Sequence, residues 1–107
     1  MSYVDKKVAL QYLANSEKLF DKIRLSFLNS YKNAVEEINE MISQDNREDL
    51  YRYIHSIKGI SLNLGSMILY EDSCNVLEKI KKEDTSLPSL EQFIYTLRSV
   101  YDELERL

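Results

Sequence analysis

His55 is the only histidine among 107 residues, and the only two glycines, Gly59 and Gly65, follow it within ten positions. Lys58 stands three residues after the histidine. A solvated imidazole, with an ordinary pKa of ~6.5, is largely neutral at neutral pH and can act as a nucleophile through a ring nitrogen. An ammonium one helical turn away would pair with a phosphoryl group attached to that ring. Gly59 has no evident structural reason. Apolar periodicity runs straight through it, and glycine inside a helix costs roughly 1 kcal/mol relative to alanine. A missing side chain there would let another protein bring a group up to the imidazole. Gly65, in contrast, suits the left-handed position that ends a helix.

The direction of these side chains follows from the helix that carries them, expected from about Arg47 to Leu64. With Leu50 set at zero and ~100° per residue, Tyr53, Ile54, Ile57, Ser61 and Leu64 fall within roughly 60° of it and mark the core direction. His55 falls at about 140°, pointing outward, with Lys58 near 80°, Tyr51 near 100°, Leu62 near 120° and Gly59 near 180°. Asn63 and Arg52 flank the far side. Tyr51 and Leu62, large side chains on an outward sector, would form the greasy part of a small docking patch. An exposed histidine one turn from a lysine also arises by chance in many helices. The residues alone therefore reach a binding surface and no further.

The elements around this helix read in order as helices. Asp5 caps a short first one, with Val4, Val8, Ala9, Tyr12 and Leu13 as its stripe, ending near Asn15. Ser16 caps a much longer one, with apolar residues from Leu19 through Phe27, Tyr31 and Ile38 to Ile42. That spacing predicts a single helix to Ser43, bent near Asn29 and Ser30. Asp45 or Asn46 caps the helix of His55, with Glu48 and Asp49 in its first turn as the dipole prefers. Ser66 begins the next, with Met67, Tyr70, Ser73, Cys74, Leu77 and Ile80 as its inner face and Lys79, Lys81 and Lys82 at its end. The methionines and Cys74 read as core filler. Pro88 suits the first turn of a last helix with the stripe Leu90, Phe93, Ile94, Leu97, Val100, Tyr101 and Leu104. Short polar connections between long amphipathic helices predict an all-α fold. Its form is an antiparallel up-down-up-down four-helix bundle with the short N-terminal helix across one end.

Bulk properties exclude several classes. Residues 1–107 make one domain, with 44% hydrophobic and 30% charged residues, as in a soluble globular protein. No apolar run reaches the ~18 residues of a membrane span, and the N-terminus has no signal-like segment, so a cytoplasmic protein is expected. One cysteine and one histidine leave no metal site of the usual kind. A net charge of −4 with interspersed signs argues against nucleic acid. The ends carry no linker-like composition, which points to a free-standing protein, and a bundle that hides its stripes is expected to be a monomer.

The run His55-Ser-Ile-Lys58-Gly59-Ile-Ser-Leu-Asn63-Leu64-Gly65 resembles the signature of the histidine-containing phosphotransfer (HPt) domain. That pattern is a histidine, a lysine three and a glycine four residues on, then an apolar residue and a glycine at nine and ten. All five positions match. The resemblance implies that His55 is the phosphoacceptor through Nε2, that Lys58 stabilises the phosphoryl group, that Gly59 gives access and that Gly65 is structural. It also implies a carrier with no ATP site and no kinase activity of its own, which exchanges phosphoryl groups with aspartates of response-regulator receiver domains, including those of hybrid sensor histidine kinases. No cofactor is implied on this chain, and the Mg²⁺ of the reaction would sit on the receiver. Ile60 departs from the small residue usual after the glycine, and Tyr53 and Ile54 are bulkier than usual. All three lie away from the Lys58–Gly59 side, so changed packing is expected rather than changed chemistry. Two other functions compete. One is a helical adaptor that binds a receiver or kinase domain through the same face without accepting phosphate. The other is an enzyme using His55 as general base, for which no partner group is visible.

Overall fold

A computed structural model describes residues 2–82, 87 and 89–107. Its helices are α1 (Lys6–Tyr12), α2 (Glu17–Ser30), α3 (Ala34–Ser43), α4 (Arg47–Ser61), α5 (Met67–Lys81) and α6 (Glu91–Arg106), with a 3₁₀ turn at Leu62–Leu64. The described residues contain no strand. Four starts follow from side chains that accept otherwise orphaned backbone N–H groups. Asp5 accepts from Lys7 at α1, Ser16 from Leu19 at α2, Asn46 from Asp49 at α4 and Ser66 from Leu69 at α5. Of the two expected caps for α4, Asn46 takes the role. Asp45 adopts a left-handed φ of 52° in the turn before it, a conformation that a short polar side chain tolerates. Pro88 lies outside the described residues, and the last helix begins at Glu91 after Leu90, without a side-chain cap.

The long second helix expected from the sequence is two helices. α2 stops at Ser30, Tyr31 closes it by donating its N–H to Phe27 O, and α3 restarts at Ala34. The cause comes from other parts of the chain. Tyr101 of α6 donates its hydroxyl to Leu28 O at 2.9 Å, the carbonyl that a continuing helix would offer to the Lys32 N–H. The Tyr31 ring lies 5.1 Å from Phe27 and edge-on to Tyr53 of α4 at 5.6 Å. Asn29, Ser30 and Asn33 are weak helix formers that resist little. The apolar stripe survives because the turn is short enough to keep both halves facing the core.

α4 packs on α5 and α3, α5 on α6, and α2 on α6. Arg24 donates to Leu104 O while Tyr101 donates to Leu28 O, so α2 and α6 run in opposite directions. Arg47 donates to Ile80 O while Lys58 lies beside Tyr70, so α4 and α5 do too. Leu50, Ile54, Ile57 and Ser61 of α4 are buried as expected, and the three apolar ones belong to one core cluster with Phe20, Phe27, Ile38, Leu77, Ile80, Phe93, Leu97 and Leu104. Each such large side chain contributes roughly 1.5–3 kcal/mol of transfer free energy before chain entropy is set against it.

The inner face of α5 is rotated from the expected one. Leu69, Ser73, Val76, Leu77 and Ile80 are buried, whereas Met67 is 48% exposed and Tyr70 and Cys74 are half-buried. Met67 is therefore not core filler. Ser61 and Ser73, both fully buried, each return the hydroxyl proton to the carbonyl four residues back at 2.7 Å. They keep α4 and α5 close without leaving a polar atom unsatisfied. α1 packs on the 3₁₀ turn and on α2. The segment before it is held twice. Asp5 N–H donates to Gly65 O at 2.8 Å, and the Glu103 carboxylate accepts from Ser2, Tyr3 and Val4.

Candidate functional site

The outward sector of α4 begins with the side chains its helical spacing dictates. His55 is exposed, Gly59 is exposed one turn later, and Lys58 between them is half-buried. Tyr51, one turn before the histidine, lays its ring against the imidazole at 6.1 Å between centroids and 22° between planes. The ring thus has an aromatic neighbour towards the N-terminus of α4 and none at position 59. A Cβ built on Gly59 would meet no heavy atom within 4 Å. Its missing side chain is required by nothing in the fold.

Lys58 turns towards α5. Its Nζ sits 5.9 Å from the centre of the Tyr70 ring, close enough for the quadrupole of the ring face to attract the ammonium. Sequence reasoning assigned Tyr70 to the core face of α5 and so missed it. No signal along the chain could have found it, because the contact depends on how α5 is set against α4.

Arg52 reaches along its own helix to Glu48, one turn back, and lies 4.0 Å from Asp49. Such an exposed pair holds the side chain loosely and contributes only tenths of a kcal/mol. Leu62 and Asn63 are not placed by the α-helical wheel, since α4 ends at Ser61. Both are half-buried in the 3₁₀ turn, which packs against α1 and α2. Of the expected surface, then, Tyr51 stacks on the histidine and Lys58 turns to Tyr70, while Leu62 and Asn63 belong to the turn that closes the helix.

The residues around the departures in the motif face elsewhere. Tyr53 packs on Tyr31 at the α2–α3 break. Burial pushes its hydroxyl pKa up, and the negative charge of Glu37 adds to that; the hydroxyl forms no hydrogen bond of standard geometry. Ile60 borders a groove with Ile23, Phe27 and Tyr31. Bulk at these positions fills the α2 side of α4 and leaves the sector of His55 alone.

The turn after α4 fixes where α5 starts. Gly65 adopts a φ of +83°, and its N–H donates to Leu62 O at 3.0 Å while Ser66 N–H donates to Ser61 O at 3.0 Å. A Cβ at position 65 would lie 2.2 Å from Asp5 O. Glycine is required there both by the backbone conformation and by the approach of the N-terminal segment.

Among the described residues, no group of three or more histidine, cysteine, aspartate or glutamate side chains is placed to hold a metal ion. No described helix is long and apolar enough to cross a membrane. No curated protein and no solved structure matches the chain. A family model for the Hpt domain matches residues 11–107. With nearly the whole chain inside that match, and an all-helical fold presenting His55 to solvent, the protein belongs to the Hpt domain family, which serves phosphotransfer in two-component signalling.

Proposed function

We propose that the protein is a phosphorelay intermediate that accepts a phosphoryl group on His55 from the aspartyl phosphate of one receiver domain and passes it to the aspartate of another. In the accepting step the lone pair of neutral Nε2 attacks phosphorus, the N–P bond forms, and the P–O bond to the aspartate breaks. The electron pair leaves with the carboxylate, and the proton on Nδ1 stays where it was. Reversal of the same step on a second receiver returns the imidazole. An acyl phosphate and a phosphohistidine are both labile, so neither direction needs another energy source. Lys58 offsets charge on the phosphoryl oxygens, and Gly59 leaves room for the receiver beside the ring. Mg²⁺ held by the receiver would supply the remaining charge neutralisation.

The observation that carries this reading is the exposed imidazole whose neighbour at position 59 is open space. The surface for the receiver would include Tyr51, Arg52, Leu62 and Asn63. In the same reading α2 and α3 form one broken rod of an antiparallel up-down-up-down four-helix bundle, completed by α4, α5 and α6, with α1 across one end. The protein would work as a cytoplasmic monomer.

The test is incubation with phosphorylated receiver domains and Mg²⁺. An acid-labile, base-stable phosphate should appear on the wild type, and His55→Gln should abolish it while leaving the helical CD spectrum unchanged. Receivers that bind yet never transfer would overturn the relay and leave an adaptor.

A further inference from the structure

Lysine carries a flexible four-carbon stem, and an unrestrained ammonium on a helix surface spreads over many rotamers. Lys58 is restrained from another helix. Its Nζ lies over the ring of Tyr70 at 5.9 Å, and Tyr70 is in the first turn of α5, where its N–H donates to Ser66 O at 3.2 Å. The turn that sets this ring opposite Lys58 is tight and hydrogen-bonded at Gly65 and Ser66. The kind of partner matters as much as its place. Among the described residues no carboxylate pairs with Lys58. Asp72, the acid two residues after Tyr70, accepts instead from the Thr96 hydroxyl at 2.6 Å. A carboxylate in contact with the ammonium would neutralise it and repel an incoming phosphoryl group. An aromatic face holds a cation while leaving its full charge and its outward N–H donors available.

We infer that Tyr70 is a positioning residue for phosphotransfer, holding the Lys58 ammonium on the α5 side of His55 without consuming its charge. This rests on the phosphotransfer reading above. Tyr51 stacks on the imidazole, so the two reacting groups of α4 each have an aromatic support and the side at Gly59 stays clear. Removing the Tyr70 ring should slow transfer about two- to fivefold, the size of an exposed cation–π contact.

The experiment has two arms. In the first, NMR of the full chain reads the ring-current shift of the Lys58 ε-protons. It should be present in wild type and in Tyr70→Phe and lost in Tyr70→Leu. In the second, the rate of transfer from a phosphorylated receiver is measured for the same proteins with and without Lys58→Ala. Tyr70→Leu should slow transfer, Tyr70→Phe should restore it, and Tyr70→Leu should change nothing once Lys58 is already alanine. If the leucine variant does not fold, 3,4,5-trifluorophenylalanine in place of Tyr70 keeps the shape, largely removes the ring quadrupole and should slow transfer as leucine would. An absent ring-current shift in wild type overturns the contact. Unchanged rates, or an equal slowing in the Lys58→Ala background, overturn the positioning role. A wild type that takes no phosphoryl group from any receiver overturns the phosphotransfer reading itself, and the positioning role falls with it even where the ring-current shift is present.

Discussion

Gly59 offers the sharpest separation between a residue kept for the fold and one kept for the surface. Replacing it with alanine adds a methyl group that touches nothing within 4 Å, in a helix that continues to Ser61. No clash opposes the gain from better helix propensity, about 1 kcal/mol. For a chain of this size that gain corresponds to a rise in melting temperature of about 4–6 °C. The expected result is therefore a Gly59→Ala protein more stable than wild type by calorimetry or urea unfolding. Function should move the other way as the side chain grows. A glutamate at this place puts bulk and negative charge beside the imidazole, where the phosphoryl group must arrive. Transfer from a phosphorylated receiver should slow slightly in Gly59→Ala and sharply in Gly59→Glu, with the helical spectrum intact. Two results would refute the reasoning. Destabilisation by alanine would mean that the fold needs the glycine after all. A folded Gly59→Glu protein that transfers at the wild-type rate would mean that no partner passes over this position.

Gly65→Ala should behave oppositely. A non-glycine residue at φ +83° with its Cβ 2.2 Å from Asp5 O must both strain the backbone and displace the N-terminal segment, a loss of about 2–3 kcal/mol by denaturant unfolding; a loss below about 0.5 kcal/mol would contradict it. Glu103 gives a pH dependence. Burial alone would raise its carboxyl pKa, but hydrogen bonds from Tyr3, Ser2 and Val4 and the charge of Arg106 outweigh that and hold it below the usual carboxylate range. Because the folded value is depressed, the stabilisation is complete above the unfolded pKa of about 4.3 and is lost as pH falls through the folded value. Glu103→Gln should therefore lower stability near neutral pH and flatten its decline below about pH 4.3, read as unfolding midpoints against pH; parallel profiles for the two proteins would show that the carboxylate does not staple the N-terminus.

Much of this protein follows from local rules that a linear sequence carries. Caps at Asp5, Ser16, Asn46 and Ser66 and the left-handed glycine at 65 are decided within a few residues by hydrogen bonding and backbone sterics. The core direction of α4, and with it the outward His55, follows from helical periodicity alone. Four features required the assembled chain. The break after Ser30 depends on a hydroxyl from Tyr101, which lies 73 residues further on than its acceptor Leu28. The buried face of α5 depends on where α4 and α6 press, so the stripe read from Met67 and Tyr70 was rotated off the core. Leu62 and Asn63 left the helical wheel because the turn to Gly65 tightens into 3₁₀ geometry against α1 and α2. The Lys58–Tyr70 contact joins two helices. Periodicity reports which way a side chain leaves its own helix; what it meets there is set by the register and crossing of the neighbour, which only close packing decides.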